Sequence, residues 1–163
     1  MTKVNVLFVC LGNICRSPMA EAVMRHQVKE AGLDGVIEVD SAGTGDWHIG
    51  HPPHEGTRKQ LDAHRISYEG MKARLVSDND FGQFDYIVCM DNNNIRDVRA
   101  LLERSDAKRE DRKELFTFME LLPERGIADV PDPYYSGNFD YVYELVEAGC
   151  RQLLTKIKTD LSL

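Results

Sequence analysis

The chain has 163 residues, 42% of them hydrophobic and 29% charged, the balance of one domain, residues 1–163, with one substantial core and no second domain. Its formal net charge of −7 argues against a broad basic face for nucleic acid, so any anion must be held locally. Cys10, Cys15, Cys89 and Cys150 are too few and scattered for a secreted disulfide framework, no apolar run approaches the roughly 20 residues that cross a bilayer, and no charged leader precedes the first strand pattern; a cytoplasmic chain with reduced thiols, not held in a membrane, is expected.

The run VNVLFV at 4–9 is nearly unbroken in β-branched and aromatic residues, as in a strand covered on both faces of a parallel sheet. Gly12 and Asn13 follow, then Ser17 and Pro18, which suit an N-cap and a first helical position. Ala20, Val23, Met24, Val28 and Ala31 recur at helical spacing, and Gly32 is placed to end that helix. The segment 36–41 reads as a strand, 54–65 as a helix, and 84–91 as a second central strand before a helix carrying Ile95, Val98, Leu101 and Leu102. Residues 103–114 form a charged, solvated stretch, and LFTF after it predicts a last short strand. Asn138 is placed to cap a final helix with Phe139, Val142, Val146, Leu153 and Ile157 on one face. Strands alternating with helices predict a parallel α/β sheet with right-handed crossovers. Ligands of such sheets bind beyond the carboxyl ends of the strands, which is where Cys10 to Ser17 falls.

A loop at a helix N-terminus offers unpaired N–H groups and a partial positive charge, and so holds anions. Arg16 adds a planar guanidinium that grips two phosphate oxygens at once. A thiol in that field loses its proton more easily, which makes Cys10, the residue at the strand end, the candidate nucleophile. A thiolate attacking phosphorus needs a partner to protonate the departing oxygen. Asp132, held between Pro131 and Pro133, is the candidate, and Asp129 its local rival.

The spacing Cys10, five residues, Arg16 resembles the C-x5-R signature of phosphotyrosine phosphatases, and CLGNICRSPMAE at 10–21 is similar to the low-molecular-weight family. The resemblance extends over SAGTGDWHIGHPPH, FDYIVCMD and DPYYSGNFDYVYELV, almost the whole chain. It implies a three-layer α/β fold of the Rossmann/flavodoxin-like phosphotyrosine phosphatase I type, with a four-stranded parallel sheet in the order 2-1-3-4 and helices on both faces. It further implies hydrolysis of phosphotyrosine in proteins, and of small aryl phosphates, through a phosphocysteine on Cys10 with no metal or other cofactor. Asp132 would be acid and then base, and Arg16 would bind the phosphate. Leu11, Gly12, Asn13, Ile14, Cys15 and Ser17 would form the cradle for phosphate or another oxyanion, Asn13 by shaping the loop and Ser17 by a hydrogen bond to the Cys10 thiolate. Trp47 and Tyr134 would wall the cleft, and Cys15 would pair reversibly with Cys10 under oxidation, sparing it the sulfinic state. A monomer or weak dimer is expected.

One residue departs from the pattern. Many relatives carry a histidine where Met71 stands, bonded into the network around the loop asparagine, so that support must be weaker here or supplied differently. His48, His51 and His54 recur at three-residue intervals, but two prolines prevent one helix from aligning them and no acidic or thiol partner adjoins, so a metal site is not expected. Three rivals share the anion loop. A protein-arginine phosphatase resembles this chain with threonine at the place of Ile14, an arsenate reductase needs two further relay cysteines, and a phosphate-binding module without turnover lacks the nucleophile or the acid.

Overall fold

In the computed structural model, residues 3–105 and 114–163 are described. Four strands, β1 (Val4–Cys10), β2 (Ile37–Gly43), β3 (Tyr86–Cys89) and β4 (Glu114–Thr117), form one sheet in the order β2-β1-β3-β4, and every pairing is parallel. The register aligns Cys10 with Gly43, Val9 with Cys89 and Cys89 with Thr117. The carboxyl ends of all four strands therefore meet along one edge, the edge on which the sequence places the loop.

Successive strand residues face opposite sides of a sheet, and both sides of this one are covered. Val6, Phe8 and Val88 lie in one cluster with Met19 and Val23 of α1 (Arg16–Glu30) and Val146 and Leu153 of α6 (Phe139–Asp160). Leu7, Val9, Ile87 and Cys89 lie in a second with Phe81 of α3 (Asp78–Gln83) and Ile95 and Val98 of α4 (Asn92–Glu103). Two-sided burial is why the central strands read as continuous apolar runs. The helix α2 (Glu55–Ala63) and the single turn α5 (Pro133–Ser136) complete the set, with two short 3-10 turns at Phe118–Leu121 and Pro123–Arg125.

Several local expectations shift. Cys15, not Ser17, takes the N-cap position of α1, because the Ser17 hydroxyl is engaged with Cys10 and Asn13. Pro18 is thus the third helical residue, still within the first turn where a missing N–H costs nothing. That helix ends at Glu30, with Ala31 exposed and Gly32 at φ 73° closing it. Asn138 stands at the cap position of α6 but makes no side-chain cap. The charged stretch at 103–114 falls mostly outside the described residues, since 106–113 are not among them. No helix among the described residues is long and apolar enough to cross a membrane.

Candidate active site

The connection from β1 to α1 is held from outside by its carbonyls. Cys10 O accepts Thr44 N–H at 3.0 Å, Leu11 O accepts Gly45 N–H at 2.8 Å, and Ile14 O accepts His54 N–H at 2.7 Å. Cys15 O accepts the Thr57 hydroxyl at 3.0 Å. With its acceptors turned to the segment 44–57, the loop keeps its donors: the N–H groups of Gly12, Ile14 and Cys15 have no protein acceptor among the described residues. Arg16, 2% exposed, carries a buried Nε that also lacks one. A buried donor left unmet is costly, and unpartnered amides beside one at the start of a helix form a candidate anion cradle.

The nucleophile candidate lies at the base of that ring. Cys10 Sγ is 3.0 Å from Ser17 Oγ and accepts Asn13 N–H at 3.3 Å. Asn13 holds a left-handed backbone at φ 56°, a conformation asparagine tolerates better than most residues. Its side chain is fixed on three sides. Nδ2 donates to Ser17 Oγ at 2.8 Å and to Ser41 Oγ at 2.9 Å, and Oδ1 accepts Arg74 N–H at 3.0 Å. This supplies the support left open by Met71, which instead packs in the hydrophobic cluster. Gly43, at the end of β2, is pressed against the loop, since a Cβ there would lie 2.8 Å from Leu11 O.

Arg16 is oriented by two carboxylates and a carbonyl. Its Nη1 donates to Asp91 Oδ2 at 2.7 Å and to Val130 O at 2.9 Å, and its Nη2 lies 3.4 Å from Asp132 Oδ2. Burial opposes its charge, but Cys10 and Asp132, followed by Asp91, more than offset this and hold the guanidinium above its ordinary range. Asp132 caps α5 by accepting Tyr134 N–H through Oδ1 at 3.1 Å, which leaves Oδ2 toward the cradle. Asp129 is committed elsewhere, accepting both N–H and Nδ2–H of Asn92. Of the two aspartates, Asp132 is the one beside Arg16, and Asp129 lies against Asn92. Asp91 was not singled out in the sequence, although an aspartate directly after an apolar strand and before a helix is both a cap signal and a position at the sheet's ligand edge.

The cavity over the loop is lined by Cys10, Leu11, Gly12, Ile14, Cys15 and Arg16 below and by Trp47, Asp132, Tyr134 and Tyr135 around its mouth. Asn13 and Ser17 lie behind this lining and shape it. Trp47 and Tyr135 are 67% and 78% exposed, and Tyr135 is a wall residue that the sequence did not assign. Ile14 packs with Cys15, Ala73 and Phe139. Burial, then the charges of Cys10 and Asp132, push the Cys15 thiol well above its ordinary range, so it stays protonated. All four cysteines are free, and Cys89 and Cys150 sit in the clusters on opposite faces of the sheet. His54 caps α2 through Nδ1 and stacks on Phe139, while His48 and His51 lie ring to ring at 5.6 Å. Among the described residues no group of three or more His, Cys, Asp or Glu is arranged to hold a metal.

A buried sulfur beneath unpartnered amides, one guanidinium and a carboxylate at the mouth, all at the carboxyl edge of a doubly covered parallel sheet, define a candidate cysteine-centred oxyanion site on an α/β fold. The family model for low molecular weight phosphotyrosine protein phosphatases matches residues 5–163. YfkJ of Bacillus subtilis, a low molecular weight protein-tyrosine-phosphatase, is 48% identical over 160 residues, 98% of this chain and 99% of that one, and PtpA of Staphylococcus aureus is 44% identical over 98% and 97% of the two chains. The crystal structure of YfkJ superposes with a TM-score of 0.91 over 98% of each chain, at 47% identity. A Drosophila arginine phosphatase superposes with a TM-score of 0.85 over 94% of this chain and 97% of its own, at 30% identity. The chain belongs to the low molecular weight phosphotyrosine protein phosphatase family.

Proposed function

We propose that this protein hydrolyses phosphotyrosine in protein substrates through a phosphocysteine on Cys10. The observation that carries the reading is the unmet donor set, the loop amides and Arg16 Nε, ringed above a sulfur that Ser17 and Asn13 support. Three phosphate oxygens fit such donors, and the fourth, bearing the ester, then points out of the cradle toward the mouth, where Asp132 and the aromatic walls lie. Cys10 Sγ attacks phosphorus as the ester P–O bond breaks, and Asp132 gives its proton to the departing phenolic oxygen. Water then attacks phosphorus while Asp132 takes its proton, the S–P bond breaks with its electron pair returning to sulfur, and inorganic phosphate is released. Arg16 bears the equatorial charge in both steps. Trp47, Tyr134 and Tyr135 supply apolar walls for the phenyl ring.

The cavity favours this substrate over a guanidino phosphate, because Ile14 contributes hydrocarbon where a hydroxyl would be needed to meet the guanidino N–H groups. The separated positions of Cys89 and Cys150 leave no thiol relay for arsenate reduction. The test is turnover of a phosphotyrosine peptide, phosphoarginine and arsenate by the parent and by Cys10→Ser. Hydrolysis of phosphotyrosine alone is expected, lost in Cys10→Ser while vanadate still binds. Full activity in Cys10→Ser would remove the nucleophile.

A further inference from the structure

One buried acid has no part in these steps. Glu21 of α1 is 4% exposed and lies beneath the loop, where Oε1 accepts the Ser41 hydroxyl at 2.7 Å and Oε2 pairs with Arg25. Its further charged neighbours are Asp40 and Arg74. Arg74 is itself held by Asp40 and Asp80. Burial first of all, against the pull of Arg25 and the Ser41 hydrogen bond, raises the Glu21 carboxyl from its ordinary value to about 6. A buried carboxylate with one half-exposed counter-ion is a cost to the fold, so its place in the hydrogen-bond pattern calls for a reason.

The hydrogens of the chain from Glu21 to Cys10 can be assigned one by one from donor and acceptor chemistry. Arg74 N–H can only donate, so Asn13 presents Oδ1 to it and its amide hydrogens to Ser17 and Ser41. Each serine oxygen therefore accepts from Asn13, and each must place its own hydrogen elsewhere. Ser17 has Cys10 Sγ at 3.0 Å and Ser41 has Glu21 Oε1 at 2.7 Å. Because Arg25 donates to Oε2, the proton of a neutral Glu21 falls on Oε1, where it takes the acceptor from the Ser41 hydrogen and crowds a second donor onto the serine oxygen that anchors Asn13.

Resting on the phosphatase reading of Cys10, we infer that Glu21 is a positioning residue for the nucleophile: as a carboxylate it accepts the hydrogen bond of the Ser41 hydroxyl, leaves the Ser41 oxygen uncrowded as an acceptor for Asn13, and thereby holds the Ser17 hydroxyl on Cys10 Sγ. In this chain the acid works with no histidine at position 71, so the serine is its route to the loop. The test is the rate of iodoacetamide alkylation of Cys10 in the full chain, located by mass spectrometry and defined as the fraction that inorganic phosphate protects. This readout needs no turnover, so a failure to hydrolyse phosphotyrosine and a failure of the link from Glu21 to Cys10 are told apart. At neutral pH Glu21→Gln and Ser41→Ala should each slow alkylation about threefold to tenfold, the range of one lost hydrogen bond, and the double variant should match Ser41→Ala alone. Multiplying losses, or faster alkylation in Glu21→Gln as expected if only its negative charge mattered, would overturn the inference. Should Glu21→Gln not fold, the alkylation-against-pH curve carries the test. An inflection near pH 6 in the parent must vanish in Ser41→Ala, and its persistence there would equally overturn the inference.

Discussion

Gly43→Ala should damage the site from behind without touching any group that contacts substrate. A Cβ at position 43 would lie 2.8 Å from Leu11 O, 3.1 Å from Asn13 Cβ and 3.2 Å from Asn13 N. Carbon and carbonyl oxygen settle at about 3.3–3.6 Å, so one side must give by roughly 0.5–0.8 Å. Gly43 cannot retreat easily, because its N–H donates to Arg74 O at 2.8 Å and its carbonyl accepts Val76 N–H at 2.9 Å. The loop after β1 therefore moves. A misplacement of about 1 Å at reacting atoms costs on the order of 100-fold, so kcat/KM for an aryl phosphate should fall roughly tenfold to a hundredfold. The overpacking should cost about 1–3 kcal/mol, or about 2–12 °C in Tm for a chain of this size. Gly35→Ala is the matched control, since nothing lies within 4 Å of a Cβ there; it should stay within about 0.5 kcal/mol and keep full activity. Steady-state kinetics and thermal unfolding of the two variants decide the matter. Parent-like kinetics in Gly43→Ala would show that the loop is not braced by the end of β2.

Asp91→Ala removes both the cap on Asn94 N–H at 2.7 Å and the 2.7 Å ion pair with Arg16, and should cost about 3 kcal/mol in denaturant unfolding, about 1 of it from the cap and the rest from a buried guanidinium short of a partner. Asp91→Asn keeps an acceptor for the cap and should recover only the first part; a parent-like Asp91→Asn would show that the ion pair adds nothing. For Glu21, the folded value of about 6 lies above the ordinary 4.5, so its protonation stabilises the fold fully below pH 4.5 and that gain is lost as pH rises through 6. Stability should fall by about 2 kcal/mol across that window, and Glu21→Gln should flatten this part of the curve, which a pH series of urea melts would read.

The sheet and the cradle were legible because each rests on local chemistry. β1, β3 and their helices announce themselves by apolar periodicity, and the loop by a strand end followed by Gly12, Asn13, Arg16 and Ser17. What escaped was tertiary or very short. The six residues of α3 carry no apolar repeat and are marked only by the box in which Asp80 accepts Ser77 N–H at 2.8 Å. The turn α5 exists because Asp132 caps it ahead of Pro133, so the same side chain that was read as an acid on a stiff loop also builds the turn that aims it. Ser17 was read as a cap because serine before proline usually is one. Cys10 and Asn13, distant in role but adjacent in the fold, outbid the helix for its hydroxyl. Asp91, Ser41 and Arg74 reach the loop from 28 to 75 residues away along the chain, and no spacing rule within one motif finds such partners.

Glu21 shows how stability and reactivity part company in this site. Its charged form is the one burial disfavours, yet with Arg25 on Oε2 it is the form that leaves Oε1 free of a proton to accept from Ser41 while Asn13 donates to that same serine oxygen. Between about pH 4.5 and 6 the two properties must run in opposite directions. The fold loses stability as Glu21 ionises, and the hydrogen-bond chain beneath Cys10 gains the acceptor it needs. A fold shaped for stability alone would place a neutral or apolar side chain at position 21, so a buried carboxylate there fits a site where local consistency yields to function. Urea melts and phosphate-protected alkylation rates measured on the same samples across this window would show the stability curve descending while the acid-dependent component of alkylation climbs. Curves that rose or fell together would mean that ionised Glu21 supports the fold and not the sulfur.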